Sequence, residues 1–524
     1  MINFYTKSTI FLVFLIIIIG CSKPPGFTRY TFKPEENPTG LKKENKNLIE
    51  GKESIFKLHM KDATVYIMKD WDFDEKDSVV FGYGALFDAN RKLLQKGNFR
   101  IPLNSIALVE TNEQNINPAI VSMTLITGAS LAMTIYCILN PKACFGSCPT
   151  FYAWNGNEMQ LQAEGFSGSI APSLEEKDID ALYFAKSQDG YLKLKMTNEA
   201  LETHVVRYAD IIAVPKSKNA RVFCNTNGQF LESDEILSPV STKANEGDIL
   251  DKIISFDAIQ RFCPSDSNNL SEKETIEIQF SDLKEGEKGL VLAYKQTLMT
   301  TFLFYNALSY MGKSAGDYFA MMERDNGNFM KTVYGSKEIL GGIKVYIENK
   351  NDSWDYIGEF FELGPISTDI QLLEINQSIK GNCKIRLEMT KGLWRIDYIA
   401  LANNCKTVYP IKIKPSFVIR NNNIDDKALS ELNDISKTLV TLPGDEYEIS
   451  YRLPDESASY EFFLESKGYY IEWIRDEWLK DENPLLLSKL VLNPSQYFKD
   501  IAPEFKQVES TMEDAFWRSR YVKK

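Results

Sequence analysis

Apolar positions recur along this chain with two periods, and the changes between them mark its elements. From Glu53 the period is two: Phe56, Leu58 and Met60 share one side of a strand, and Lys57, His59 and Lys61 the other, which predicts a solvated His59. Strands at Thr64–Met68, Val79–Phe87 and Phe99–Val109 complete a small antiparallel β-barrel or sheet over 53–112. Between them, Asp70-Trp-Asp-Phe-Asp-Glu-Lys-Asp77 has acids spaced as in a calcium loop. It carries Glu75 where such a loop needs Gly and Phe81 where it needs Glu, so it reads as a solvated acidic hairpin over buried Trp71 and Phe73.

Asn155-Gly156 lies between Phe151–Trp154 and Met159–Ala163 and predicts a tight hairpin, because both turn residues adopt positive φ. Strands at Tyr191–Thr197, Val205–Val214 and Arg221–Cys224 extend a β-rich domain over 150–340, with a helical insertion at Gln296–Tyr310 and Ala315–Glu323. The first of these helices is apolar nearly all round, which predicts burial. Alternation returns at Ile343, Val345 and Ile347. A hairpin across Thr390-Lys-Gly392 is expected to join Lys384–Met389 to Leu393–Leu401, and Tyr447–Leu453 and Tyr460–Glu465 add strands to a β-sandwich over 341–475. After Trp473 the period is helical. Pro484, Pro494 and Pro503 each suit the first turn of a helix in a tail over 476–524. The fold class is therefore mainly β with α (α+β).

Two apolar runs break this pattern. Pro118–Leu139 carries no charge and is followed by Cys144-Phe-Gly-Ser-Cys148. At about 1.5 Å per residue it is long enough to span a bilayer. Ser122, Thr124, Thr127 and Thr134 moderate it, so region 113–149 reads as one central buried helix and a Cys loop. The alternative is a transmembrane helix of a membrane-integrated subunit. The other run is Ile10–Ile19, after Lys7 and before Gly20-Cys21. About ten apolar residues suit a secretory h-region, whereas a span needs about twenty.

Gly20-Cys21 resembles the lipobox of bacterial lipoproteins, although Ile18 and Ile19 stand where Leu and Ala or Ser are commoner. The resemblance implies a signal peptide over 1–20 and a lipid on Cys21, and Ser22 after it points to the outer membrane over the inner. Residues 21–52 are polar and hold Pro24, Pro25, Pro34 and Pro38, which predicts a flexible tether. Cys144-Phe-Gly-Ser-Cys-Pro-Thr-Phe-Tyr152, Lys391-Gly-Leu-Trp-Arg-Ile-Asp-Tyr398 and Gly468-Tyr-Tyr-Ile-Glu-Trp473 resemble uncharacterised lipoproteins of Gram-negative bacteria of the Bacteroidota type. That family carries no assigned activity, so the resemblance implies an envelope location and transfers no catalytic residue.

The 524 residues are enough for about three domains. A net charge of −12 without a basic stripe excludes a nucleic-acid partner. The chain holds two histidines, His59 and His204, which leaves no basis for a His triad or a zinc centre. Gly165-Phe-Ser-Gly168 lacks the spacing of a nucleophile elbow, and Ser281-Asp-Leu-Lys284 lacks the companions of a Ser–Lys site. No cofactor, metal ligand set or catalytic residue is assigned. Cys144 and Cys148 could be ligands, a redox pair or a disulfide, and an oxidising envelope favours the bridge. Cys383 and Cys405 flank the predicted hairpin and would form a second one. Trp354 and Trp394 are candidates for stacking on a sugar, against an ordinary core role. The expected function is a lipid-anchored binding or assembly module, with an envelope protein or glycan as partner. The alternative is an envelope hydrolase using two of the 72 acids.

Overall fold

The computed structural model describes residues 26–32, 56–60, 64–87, 93–115, 148–170, 175–200, 202–315, 339–361, 364–377, 379–472 and 481–518, together with 34, 41 and 318. Cys21, Cys144 and Pro118–Leu139 lie outside them, as does the expected helix within that run. Among the described residues no helix is long and apolar enough to cross a membrane.

The described residues form five β-sheets. The N-terminal one is open, with strand order Gly26–Phe32, Ile106–Asn115, Phe56–Met60, Val65–Asp74, Val79–Phe87, Leu93–Pro102. It does not close into a barrel. Its first strand comes from the expected tether and pairs along its length with Ile106–Asn115. Trp71 is buried and stacks on Phe56 at 4.3 Å, with Asp70 and Asp72 outward, as the alternation predicted. His59 overturns the expectation of a solvated face. Phe56–Met60 is buried on both sides, and the His59 ring lies 5.3 Å from Tyr469 because this sheet docks on the next layer. Arg207 of that layer reaches the Met60 carbonyl at 3.5 Å.

The other four sheets stack face to face. The second contains Thr150–Trp154, Met159–Glu164, Tyr191–Thr197 and Glu446–Arg452; the third contains Glu176–Ala181, Glu202–Pro215 and Tyr460–Glu472. The fourth is built on Lys288–Gln296, Asp369–Ile375 and Trp394–Asn403, and the fifth on Lys273–Leu283, Ile343–Glu348, Trp354–Phe360 and Gly381–Thr390. Side-chain parity shows the stacking. Ile211 and Ala213 join the core against the second sheet, whereas Ile212 and Val214 join the core against the fourth. Val291 and Ala293 face the third sheet, while Leu290 and Leu292 face the fifth. A strand covered on both faces has no polar side to show, which explains the near-continuous apolar runs of the middle layers.

These sheets interleave strands from both sides of residue 340, so the expected boundary there does not divide the fold. The Thr390-Lys-Gly392 hairpin is also corrected. The turn forms, with the Leu393 amide donating to the Thr390 carbonyl, but its two strands enter different sheets. Trp394–Asn403 is buried on both faces and takes a central place beside Lys288–Gln296. Gly381–Thr390 alternates and pairs instead with Lys273–Leu283 and Ile343–Glu348. Cys383 and Cys405 follow these diverging strands into separate cores and stand as free thiols, so the bridge between them is not formed.

Helix α1 (Met299–Met311) covers the fifth-sheet core with Met299, Phe302, Leu303 and Leu308. Helix α2 (Asp426–Asn433) is capped by Asp425, and α3 (Pro484–Leu492) by Asn483 with Pro484 in its first turn. Helix α4 (Pro494–Arg518) runs unbroken through Pro503, where a new helix was expected. Tyr497, Phe498, Ile501, Phe505 and Val508 fix it against the core on both sides of the proline, offsetting the lost intrahelical bond.

Candidate functional site

The rims of the stacked sheets meet at a half-open cleft of about 360 Å³. Phe166–Gly168 supply the turn leaving the second sheet, and Lys177, Asp178 and Ile179 the edge strand of the third. Cys224, Asn225, Thr226, Gly228 and Gln371 come from the fourth sheet, and Glu359 and Phe361 from the end of the fifth.

Local structure orients these groups. Phe166 has φ +40°, a left-handed conformation that costs a bulky residue energy. Its amide donates to Asp178 Oδ2 at 2.9 Å, and the Ile179 amide donates to Oδ1 at 2.9 Å. Asn225 Oδ1 accepts from the Asn227 and Gln229 amides at 3.0 and 2.8 Å, closing a tight turn at the cleft wall. Gln371 Oε1 accepts from the Tyr294 hydroxyl at 3.0 Å. Glu359 Oε1 accepts from the Gly342 amide.

Two further acids stand behind the lining. Glu164 Oε2 accepts from the Ile366 and Ser367 amides at 2.7 and 3.3 Å. Asp369 Oδ1 accepts from the Ala181 amide at 2.9 Å. Desolvation drives all three carboxyls up. Asp178 rises to about 7, with the Asp369 charge adding to the burial. Glu164 rises to about 7 through burial, opposed by its two amide donors. Asp369 is raised by burial too. Protonated acids at neutral pH are hydrogen-bond donors and proton donors, so Asp178 brings either capacity to the cleft.

Cysteine chemistry is suppressed. Burial and the Asp369 charge push the Cys224 thiol up to about 12. Cys148 is a free, buried thiol beside Glu164; burial, and then the Glu164 charge, raise it well above the ordinary thiol value. The thiol turns toward Glu164 and Tyr470; Cys144, and with it the expected Cys144–Cys148 pairing, lies outside the described residues. A thiol held protonated is neither nucleophile nor ligand. His204 Nε2 lies 2.7 Å from Glu202 Oε1, both wholly buried, as a structural pair.

The cleft brings together none of the cysteine pairs or tryptophans singled out in sequence. Trp394 is core, 2% exposed, with Tyr294 and Phe361 around it. Trp354 is half-buried with the Arg386 guanidinium 4.0 Å above its ring, so its stacking face is taken. Ser281 and Lys284 diverge: the serine bonds Asp282 and the lysine pairs with Glu235. Phe166, Ser167 and Gly168 of the Gly165-Phe-Ser-Gly168 motif line the cleft as a turn strained at Phe166, not as a nucleophile elbow. Asp178, Glu359 and Gln371 carry no sequence signal, because burial and partners from other strands give each its character, whereas Asn225 sits in a local Asn turn.

No protein-family model matches this sequence, and no curated protein matches it. Among solved structures the chain is similar to a GH31 alpha-xylosidase from Xanthomonas citri, at 7% identity and a TM-score of 0.13. The match covers 86% of this chain and 38% of that enzyme, so the chain spans well under half its length. A similarity at that score carries no argument about fold or function.

Proposed function

We propose that this is a lipid-anchored protein of the bacterial envelope, held at the outer membrane by Cys21, and that it acts as a binding module whose ligand enters the cleft. The observation that carries the ligand reading is the lining. Ser167, Thr226, Asn225 and Gln371 supply hydroxyl and amide groups, Asp178 a carboxyl that is partly protonated at neutral pH, and Phe361 an apolar surface. Such a set suits an uncharged, hydroxyl-rich ligand such as an envelope glycan, which needs many paired donors and acceptors and no net countercharge. Titration of the purified chain with envelope-derived oligosaccharides, followed by calorimetry, tests this. Binding that Asn225→Ala weakens at least tenfold supports it; no heat across the panel rejects it. Mass spectrometry of the mature N-terminus tests the anchor, and an unmodified Cys21 rejects it.

A second reading has its own observation. Asp178 and Glu359 are two carboxyl groups in one cleft, and Asp178 holds its proton near neutrality. That is the minimum for acid-assisted glycoside cleavage. Product release from the same oligosaccharides, abolished by Asp178→Asn, would make the module a hydrolase.

A further inference from the structure

The fifth sheet ends the stack, and its two faces differ. Ile343, Val345, Ile347, Ile385 and Leu387 point into the core. Alternate positions point outward, where Tyr346 and Arg386 are half-buried and Lys384 and Tyr356 are exposed. Strand pairing sets Tyr346 opposite Tyr356 on one neighbour and opposite Arg386 on the other. The two tyrosine rings meet edge to face at 5.6 Å, and Tyr356, on the last strand of the sheet, is 56% exposed. Trp354 lies two positions back on that strand, and the Arg386 guanidinium over its ring makes it the wall of this aromatic patch rather than its open surface.

Three ion pairs match the charges nearest the patch. Lys384 Nζ lies 2.9 Å from Glu348 Oε1, Arg386 Nη2 lies 2.6 Å from Glu277 Oε1, and Lys344 Nζ lies 4.0 Å from Glu388 Oε1. Such pairing leaves little field to draw an ion or a charged polymer. What remains is ring surface held in place beside groups that donate and accept hydrogen bonds. A pyranose fits that combination, because its apolar C–H face lies on a ring while its hydroxyls meet the polar rim.

The patch runs into the cleft. Glu359, which lines the cleft, stands three residues after Tyr356 on the same strand, about 10 Å away at the rise of a strand. An odd spacing places two residues on opposite faces of a regular strand. Here a bulge at Ile357 restores the match: Tyr356 pairs with Tyr346 and Glu359 with Lys344, so both belong to the outer face. Glu359 then turns its carboxyl to the Gly342 amide at the rim, and Phe361, just past the strand, continues the cleft wall.

We propose that this outer face is an extended subsite of the cleft: a glycan chain seated in the cleft leaves it past Glu359 and lies across Tyr356 and Tyr346. The subsite rests on the glycan reading of the cleft given above. It adds that the ligand is an uncharged chain of several sugars rather than a single one, since the tyrosines are out of reach of a sugar held wholly within the cleft.

Calorimetric titration of the full chain with uncharged oligosaccharides released from the envelope glycan and sorted by length, from the disaccharide upward, tests this. Wild-type affinity should rise with length and level off once the chain covers both tyrosines. Tyr356→Ala, at an exposed position, should cost the longer chains about tenfold and leave the shortest unchanged, and Tyr356→Phe should keep the wild-type profile. Affinity that is independent of length, no loss in Tyr356→Ala, or an equal loss for short and long chains overturns the subsite while leaving the cleft as the glycan site. No binding at any length rejects the glycan reading itself, and the subsite with it. Should Tyr356→Ala fail to fold, the ring-proton NMR signals of Tyr346 and Tyr356 in the wild-type chain decide. Shifts that only the longer chains produce support the subsite, and their absence overturns it.

Discussion

Gly468→Ala tests how closely the layers meet beneath the cleft. Gly468 sits opposite Val206 in the central strand pair, next to a break in register. A Cβ at this position would lie 2.4 Å from the Val205 carbonyl oxygen and 2.8 Å from Phe166 Cζ. Ordinary contact requires the oxygen to recede by roughly 1 Å, and that oxygen belongs to a strand buried on both faces. Such overpacking costs about 1–3 kcal/mol. Loss of glycine's freedom in the unfolded chain returns about 0.4–1 kcal/mol. The net expectation is destabilisation by about 1–2 kcal/mol, with Phe166 displaced from the cleft wall. Equilibrium urea unfolding followed by tryptophan fluorescence measures the first part. A double-mutant cycle with Phe166→Leu measures the second: the smaller side chain relieves the ring contact but not the carbonyl contact, so the coupling should be favourable and partial. A variant unfolding at or above the wild-type midpoint would refute the reasoning, and zero coupling would remove Phe166 from it.

Phe463→Ala should cost about 3–5 kcal/mol in the same assay, because Phe463 is wholly buried between the third and fourth sheets, 4.9 Å from the Phe230 ring. Arg261→Met should cost about 3–5 kcal/mol, since it strands Glu274, whose carboxylate meets the buried guanidinium at 2.5 Å; adding Glu274→Leu should recover most of the loss. Stability should fall as pH rises from about 5 to about 8. Glu164 and Asp178 are raised to about 7 in the fold, so their contribution is complete below their unfolded values and is lost as each ionises. Glu164→Gln should flatten this fall by about 3 kcal/mol, read from urea midpoints at the two pH values.

Local pattern alone was enough to place many elements. The alternation at Ile343–Glu348, the all-round apolar helix at Met299–Met311 and the Asn-Pro starts of α3 and α4 depend on spacings of a few residues and are present as predicted; the hairpin at Asn155-Gly156 also forms, but over residues 155–158 and with positive φ at Gly156 and not at Asn155. Each is decided by neighbours in the chain, which is why sequence suffices. What covers each face is a different matter. Lys57 and His59 alternate like a solvated edge, yet the docking of one sheet on another buries them. Lys384–Met389 and Leu393–Leu401 read as a hairpin, yet the stack needs the second strand as an interior member of another layer. Cys383 and Cys405 separate for the same reason. The cleft lies furthest from the sequence. Asp178 becomes a neutral-pH acid because the fold takes it out of water and packs beside it Asp369, which is distant along the chain. A carboxyl's burial and partners are tertiary quantities, and no spacing among 72 acids encodes them.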